Sequence, residues 1–324
     1  MYDRGLGVLE QYGLTAETVL RGRGALICQT EKGWKSIREY WGSPGRLEQQ
    51  RKIQKRCKEN GFLLVDQVEE NLEGQVVTTG EDGIPYVVKE WFQGTECNTR
   101  SGEDILSSME AMAKLHTVMQ AEQDEDMPGA DLLEECRRHN RELRRTRKFV
   151  QKKKAKNPFE ERLAQSITAF LEAGEGMVKE LEDFDYERFC KEHRQEVCHG
   201  DCNQHNMLRT AQGVRLVNYE NLFYGEQMVD LANYLRKILE KNSWSTDMGK
   251  HILEAYEKQR KLCKEEKQLL HVLLLFPEKF WKVSNHYSNS HKAWVSGRDI
   301  EKLNRLIAAE PAREHFLENL FSFL

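Results

Sequence analysis

The chain has 324 residues, 39% hydrophobic and 31% charged, with a formal net charge of −4. That is the balance of a soluble globular protein able to build one large domain or two lobes, and it excludes a long disordered linker or a solenoid of repeats. The longest apolar run, LLHVLLLF at 269–276, is too short to span a bilayer, and the start, MYDRGLGVLEQYGL, lacks the basic-then-apolar order of a secretory signal, so the eight cysteines are expected as reduced thiols in the cytoplasm.

In chain order, ALICQTEKGWKSIREY (25–40) predicts two strands around a Lys32-Gly33 turn. Leu47, Ile53 and Cys57 then recur at helical spacing, and the helix over 47–60 is expected to stop at Gly61. VVTTGEDGIPYVVKEWF (76–92) predicts a second strand pair turning at Asp82-Gly83. After QGTECN the period changes. Ile105, Met109, Met112 and Leu115 form a helical stripe over 103–120, and 130–155, 158–182 and 185–194 also read as helices. Short strands return around EVCHGD, NMLRT and VRLVNYE, and almost everything from Asp230 onward is helix-compatible. The expected architecture is α+β, with a small sheet-plus-helix lobe over 1–92 and a larger, mainly helical lobe over 93–324.

Chemistry concentrates in CHGDCNQHN, residues 198–206. Cys198, His199, Cys202 and His205 are all zinc donors, yet structural zinc usually joins two distant ligand pairs, and no second Cys/His pair is in view. A nucleophilic cysteine would need a base placed in space, and either cysteine is equally a small buried side chain. Both readings leave Asp201 and Asn206 unexplained. Phosphoryl transfer uses them: a carboxylate to accept the proton of an attacking hydroxyl, and oxygen ligands for magnesium nearby. A loop followed by a hairpin can aim such groups into one cleft.

The stretch HGDCNQHN resembles the H-G-D-x-x-x-x-N catalytic loop of the aminoglycoside phosphotransferase and choline kinase superfamily. VNYENLFYGEQMVDLANYLRK resembles that superfamily's I-D-F-(D/E) strand end and its downstream D-L-A helix start. YGL near the start, T-x-x-G at 30–33, KEWFQG at 89–94 and LHT at 115–117 resemble the CotS-type spore coat branch. The resemblance implies a two-lobed protein-kinase-like fold, ATP and Mg2+ as cofactors, and a catalytic-type loop at 198–206 with a metal-type strand end at 217–220. It places Asp201 as catalytic base and Asn206 as metal ligand, with His199 and Asp230 as structural supports of the loop; a carboxylate at a helix start can cap backbone N–H groups. The connector KEWFQG becomes the hinge, where backbone groups of Glu90 and Phe92 would meet an adenine; a plain linker would read the same. The phosphate-holding lysine of the superfamily falls by register on Arg38, with Lys35 on the opposite strand face and Glu48 as its helix partner. Arginine keeps the charge but presents a broad planar fork, and a solvated strand arginine is an equal alternative.

The departure is at 218, where the superfamily's metal-binding aspartate is Asn218. Magnesium prefers one or two carboxylates with phosphate oxygens and water, and Asn206 and Asn218 are both neutral. Glu220 can supply the charge if the strand continues past Asn218. No Walker A pattern occurs. GLTAETVLRGRGAL (13–26) is a poor phosphate loop, in which Gly22 and Gly24 serve a turn.

Between Arg137 and Lys156 lie eleven Arg/Lys against one Glu, a local charge of +10 that leaves about −14 for the rest of the chain. Such a run is a solvated helix face, or a surface for an acidic protein, sugar phosphate or polymer. Nucleic acid is disfavoured by the negative whole-chain charge and the lack of an accompanying motif. The functional expectation is a CotS-like protein with a kinase-like fold, degenerate in metal binding, that acts by binding in coat assembly. It would be cytoplasmic and then deposited in the spore coat, with nucleotide and an unknown small molecule or coat proteins as partners. The alternative is an active ATP-dependent phosphotransferase on a small hydroxylated substrate.

Overall fold

The computed structural model describes residues 5–120, 129, 131–193, 195–290, 296–320 and 322. Two compact units divide the chain. The first comprises Met1–Gly129, Gln195–Asp230 and Ala255–Lys261, and the second Ala130–Arg194, Leu231–Glu254 and Leu262–Leu324.

The first unit opens with a 3-10 turn, Leu6–Tyr12, and a five-stranded antiparallel sheet. Its strands are β1 (Ala16–Gly22), β2 (Ala25–Thr30), β3 (Gly33–Glu39), β4 (Thr78–Thr79) and β5 (Pro85–Glu90), in the order β1-β2-β3-β5-β4. Both expected hairpins form. β1 was not expected as a strand. It lies at the sheet edge with nearly every residue partly or fully exposed, so it carries no alternating apolar signal. The turn joining it to β2 is Arg23-Gly24, flanked by the Gly22–Ala25 pair, and Gly24 takes a positive φ of 62°.

The sheet has two unlike faces. Ile37 and Val88 are paired across β3 and β5, and both join Val8, Leu9, Tyr12 and Cys28 in one apolar cluster. On the other face, Val87 packs with Leu47, Val68 and Val76. Leu47 belongs to α1 (Pro44–Glu59), whose chain turns out at Asn60 and Gly61 (φ 92°). The second helix, α2 (Gly102–Val118), is capped by Ser101 and buries the predicted stripe Ile105, Met109, Met112 and Leu115. Small strands complete the unit: β6 (Thr95–Glu96) with β8 (Met207–Thr210) and β9 (Gly213–Leu216), and β7 (Val197–Cys198) with β10 (Phe223–Tyr224).

The second unit is helical: α3 (Leu132–Lys152), α4 (Pro158–Asp183), α5 (Tyr186–Glu192), most of α6 (Met228–Leu239) and α7 (Thr246–Gln259), α8 (Lys264–Leu275), α9 (Glu278–Asn289) and α10 (Gly297–Leu320). Leu143 and Val150 of α3, Phe159, Leu163 and Ile167 of α4, and Phe280 of α9 share its main core. The outer side of α3 carries the basic run. Arg137, Arg138, Arg141, Arg144 and Lys153 are each answered by a glutamate of the same unit. Arg145, Lys148, Lys152 and Lys154 are exposed, as is Phe149 among them. Among the described residues, no helix is long and apolar enough to cross a membrane.

Candidate functional site

All the residues that follow lie in the first unit. β7 delivers the chain into the loop 199–206, which returns it to β8. Gly200 sits at the bend with φ 81°, and a Cβ there would lie 2.0 Å from the carbonyl oxygen of Asn221, so only glycine fits. The loop hangs from Asp230, in the first turn of α6. Its carboxylate accepts the backbone N–H of His199 (2.6 Å) and of Gly200 (3.0 Å). Burial pushes this carboxyl up, but His116 (3.6 Å away), His199 and the loop N–H outweigh it and hold Asp230 below its ordinary pKa. α6 begins at Met228, so Asp230 does not open that helix, and the N–H groups it takes belong to the loop.

His199 is fully buried. Its Nε2 donates to the carbonyl of Val217 (3.1 Å), which leaves Nδ1 to accept from the N–H of Asp201 (3.3 Å). That is the neutral ring, and burial lowers its pKa accordingly. The Asp201 carboxylate is held by two amides, Asn203 Nδ2 on Oδ1 and Asn206 Nδ2 on Oδ2, both at 2.8 Å. The same Asn206 nitrogen reaches the Asp201 carbonyl (2.8 Å). With its nitrogen fixed there, Asn206 turns Oδ1 toward Asn218, whose Nδ2 donates to it at 2.7 Å. Asn218 adopts the left-handed conformation (φ 69°), which asparagine tolerates, and gives its own N–H to Asp66 Oδ2 (2.9 Å). Its side-chain oxygen is buried and has no hydrogen-bond partner among the described residues.

β9 ends at Leu216, and Tyr219–Asn221 form a 3-10 turn, so the continuing strand expected to aim Glu220 is not there. Instead Glu220 makes a close ion pair with Lys89 of β5. Lys89 is 1% exposed and lies 3.7 Å from the fully buried Asp66. Burial raises the Glu220 pKa, but Lys89 outweighs it and the carboxylate stays ionised below its usual range. Asp66 fares differently: burial, only partly opposed by Lys89, pushes it up to about 6.

Arg38 stands on the sheet face of Lys89, since Arg38 pairs with Val87 and Ser36 with Lys89. Its guanidinium donates to the carbonyl of Arg23 at the β1–β2 turn (3.2 Å). Lys35 is on the other face, paired with Glu69. Glu48 is not the partner of Arg38; it faces Arg51 in its own helix (3.8 Å). The α1 residue that reaches the charged cluster is Gln54, which donates to the Asp66 carbonyl (2.8 Å) and carboxylate (3.1 Å). At the connector, the N–H of Glu90 is given to the Gln67 carbonyl (2.8 Å) and the Phe92 ring lies 3.7 Å under Arg215. Trp91, between them, lines the cleft.

That cleft is a cavity of about 780 Å³. Arg38, Asp201, Asn206, Asn218 and Glu220 all border it, with Ile27 and Leu208 as apolar walls. The structure thus brings together five of the residues named from sequence. Lys89, Asp66 and Gln54 were missed. A signal existed for Lys89: in YVVKE it falls two places after the inward-facing Val87, and period two puts it inside. The cysteines take no part. Cys198 donates from Sγ to the carbonyls of Gly225 and Glu226, and burial pushes its thiol well up.

As arranged, the donor set does not fit magnesium, which requires carboxylate oxygens free to face it. Asn206 Oδ1 is occupied by an amide N–H, Asn218 offers one neutral oxygen, and Glu220 is committed to a buried lysine.

Residues 7–320 match the family model described as "Spore coat putative kinase YutH". The chain belongs to this spore coat family. Its fold is shared with kinases of known structure. An aminoglycoside phosphotransferase from Alicyclobacillus acidocaldarius superposes with a TM-score of 0.86 at 19% identity, over 98% of this chain and 95% of that one. A spectinomycin phosphotransferase in complex with ADP and spectinomycin gives 0.63 at 10% identity, over 94% and 96%. Choline kinase from Cryptosporidium parvum gives 0.56 at 14% identity, over 96% and 91%. Identities this low establish the fold and leave chemistry to the site. The protein-kinase-like α+β fold inferred from the two motifs is therefore the fold of the chain, with a small antiparallel sheet region ahead of a larger helical part.

Proposed function

We propose that this spore coat kinase-family protein acts chiefly by binding in coat assembly, and that metal-dependent phosphoryl transfer has been lost or reduced to a trace. The cytoplasm would be its place of synthesis and the coat its destination, with coat proteins as partners. The observation that carries this reading is the hydrogen bond from Asn218 Nδ2 to Asn206 Oδ1, beside a Glu220 already paired with Lys89. In a phosphotransferase both positions would face a cation that neutralises charge developing on the transferred phosphoryl group. Here neutral amides satisfy one another. The lobes of this reading divide at 92/93, and Arg38, Trp91 and the backbone around Glu90 and Phe92 would line a nucleotide site that works weakly or without metal.

A second reading retains a specific observation in its favour. Asp201 is held by Asn203 and Asn206, on a loop fixed by Asp230, in the manner a general base for a hydroxyl acceptor requires. It would make the protein an ATP-dependent phosphotransferase for a small hydroxylated molecule. Calorimetric titration of ATP and ADP, in excess Mg2+ and in chelator, separates the two. Binding that is absent or indifferent to Mg2+, with no turnover, supports the binding role. Mg2+-dependent ATP binding with phosphate released or transferred over hours would overturn it.

A further inference from the structure

The helical unit holds a cavity whose lining shares no residue with the cleft at Asp201. It measures about 310 Å³ and lies among α4, the end of α6, the α8–α9 corner and α10. Its apolar wall is aromatic: Phe170 stacks on Phe280 (centroids 3.9 Å apart, 14° between planes), with Trp244 and Phe276 alongside. Two arginines are built into the same wall, Arg236 at 6% exposure and Arg313 at 7%.

Charge in this cavity is unevenly answered. Arg236 and Lys279 share one carboxylate, Glu240, at 2.7 and 3.1 Å. Arg313 donates to the Leu275 carbonyl (2.8 Å) and has Glu310 only at 3.5 Å. Glu278 is drawn to Lys282, outside the cavity lining (2.8 Å). Lys302 and Arg305, one turn apart on α10, are exposed at the border. Arg305 bonds only a carbonyl of its own helix, and Lys302 acts at longer range on Asp299; neither forms an ion pair among the described residues. Five cations therefore line the space against three carboxylates, one of which is engaged elsewhere. Burial also depresses the Arg313 guanidinium and raises the Glu310 carboxyl, the direction expected of a pair short of polar partners.

We propose that this cavity is a binding site for a small amphipathic anion, an aromatic or branched apolar body bearing one carboxylate, sulfonate or phosphate group. The aromatic wall would take the body, and Arg313 with Lys302 and Arg305 the anionic group. The volume is at the lower end of the range of ligand pockets, so the ligand is at most about three rings in size. An aminoglycoside-like polycation is excluded by the sign of the charge. The inference stands whether or not the cleft at Asp201 is catalytic.

The test uses the full-length protein and two fluorescent probes of similar shape, 1-anilinonaphthalene-8-sulfonate and the uncharged N-phenyl-1-naphthylamine. The anionic probe should bind saturably at one site, at least ~10-fold more tightly than the neutral one, a gap of about 1.4 kcal/mol. Changing the exposed pair, Lys302→Ala with Arg305→Ala, should weaken the anionic probe ~10-fold and leave the neutral probe and the melting temperature unchanged. Ala309→Phe, which fills the space from α10, should abolish binding of both. Equal affinity for the two probes, indifference to the double substitution, survival of binding in Ala309→Phe, or displacement by ADP would each overturn the proposal.

Discussion

Replacing Asn218 by Asp changes one side-chain nitrogen to oxygen, and the surroundings fix what that does. The Nδ2 that donates to Asn206 Oδ1 at 2.7 Å becomes a carboxylate oxygen facing another oxygen. Asn206 cannot relieve the clash by turning over, because its nitrogen is held by both the carboxylate and the carbonyl of Asp201. Losing the hydrogen bond costs about 1 kcal/mol, and the opposed oxygens add a comparable amount, about 2 kcal/mol together. The new charge also joins Asp201, Glu220 and Asp66 in one cluster. In chelator the variant should therefore melt about 4 °C below wild type. A divalent cation reverses the sign, since it gives the facing oxygens a shared partner. At a concentration about 100-fold above its dissociation constant, Mg2+ returns about 2.7 kcal/mol, enough to erase the deficit. Scanning calorimetry of wild type, Asn218→Asp and Asn218→Ala, with Mg2+ and with chelator, reads this directly. Only the aspartate variant should respond to Mg2+. Any ATP turnover it gains should vanish when Asp201→Asn is added. A wild type that gains as much from Mg2+ as the variant, or a variant as stable as wild type in chelator, would refute the argument that the amide pair has displaced the metal.

Glu220→Gln leaves Lys89 buried with only Asp66 at 3.7 Å, and should destabilise by about 3 kcal/mol in urea denaturation irrespective of Mg2+. Asp66 has a folded-state pKa raised to about 6, so the folded protein binds that proton more tightly than the unfolded chain. The resulting stabilisation is full below the unfolded pKa and is lost as pH rises through 6, and wild type should gain about 2 kcal/mol relative to Asp66→Asn between pH 7 and pH 4. Neutralising Arg145, Lys148, Lys152 and Lys154, which are exposed, should leave melting unchanged and reduce salt-dependent retention on an anionic resin if the α3 face has an acidic partner; equal retention would make it a solvated face. Lys153 is left out because it pairs with the buried Glu160 (2.6 Å). Elemental analysis should find no stoichiometric zinc, and Cys198→Ser with Cys202→Ser should remain folded.

The parts of this molecule that could be read from sequence are those encoded locally. The hairpin turns at Lys32-Gly33 and Asp82-Gly83, the α2 stripe and the HGD loop each declare themselves within a dozen residues. β1 did not, because an exposed edge strand needs no apolar alternation. The electrostatic partners were the least legible. Lys89 and Glu220 are 131 residues apart, and Gln54 reaches Asp66 from the helix on which the resemblance pointed to Glu48. Sequence spacing names which groups are available at 218 and 220. It does not say that one asparagine has already turned its amide to the other, or that a strand lysine has claimed the glutamate.

Asp230 ties the bend at His199 and Gly200 to α6 without any help from a cation or a substrate. The bend at His199 and Gly200 therefore keeps its support whatever charge stands at Asn218. Asparagine and aspartate codons differ at one nucleotide. On so self-supported a bend, the charge carried at position 218 is a single base change away from its opposite setting, and a population carrying this gene can sample both in the ordinary course of replication error.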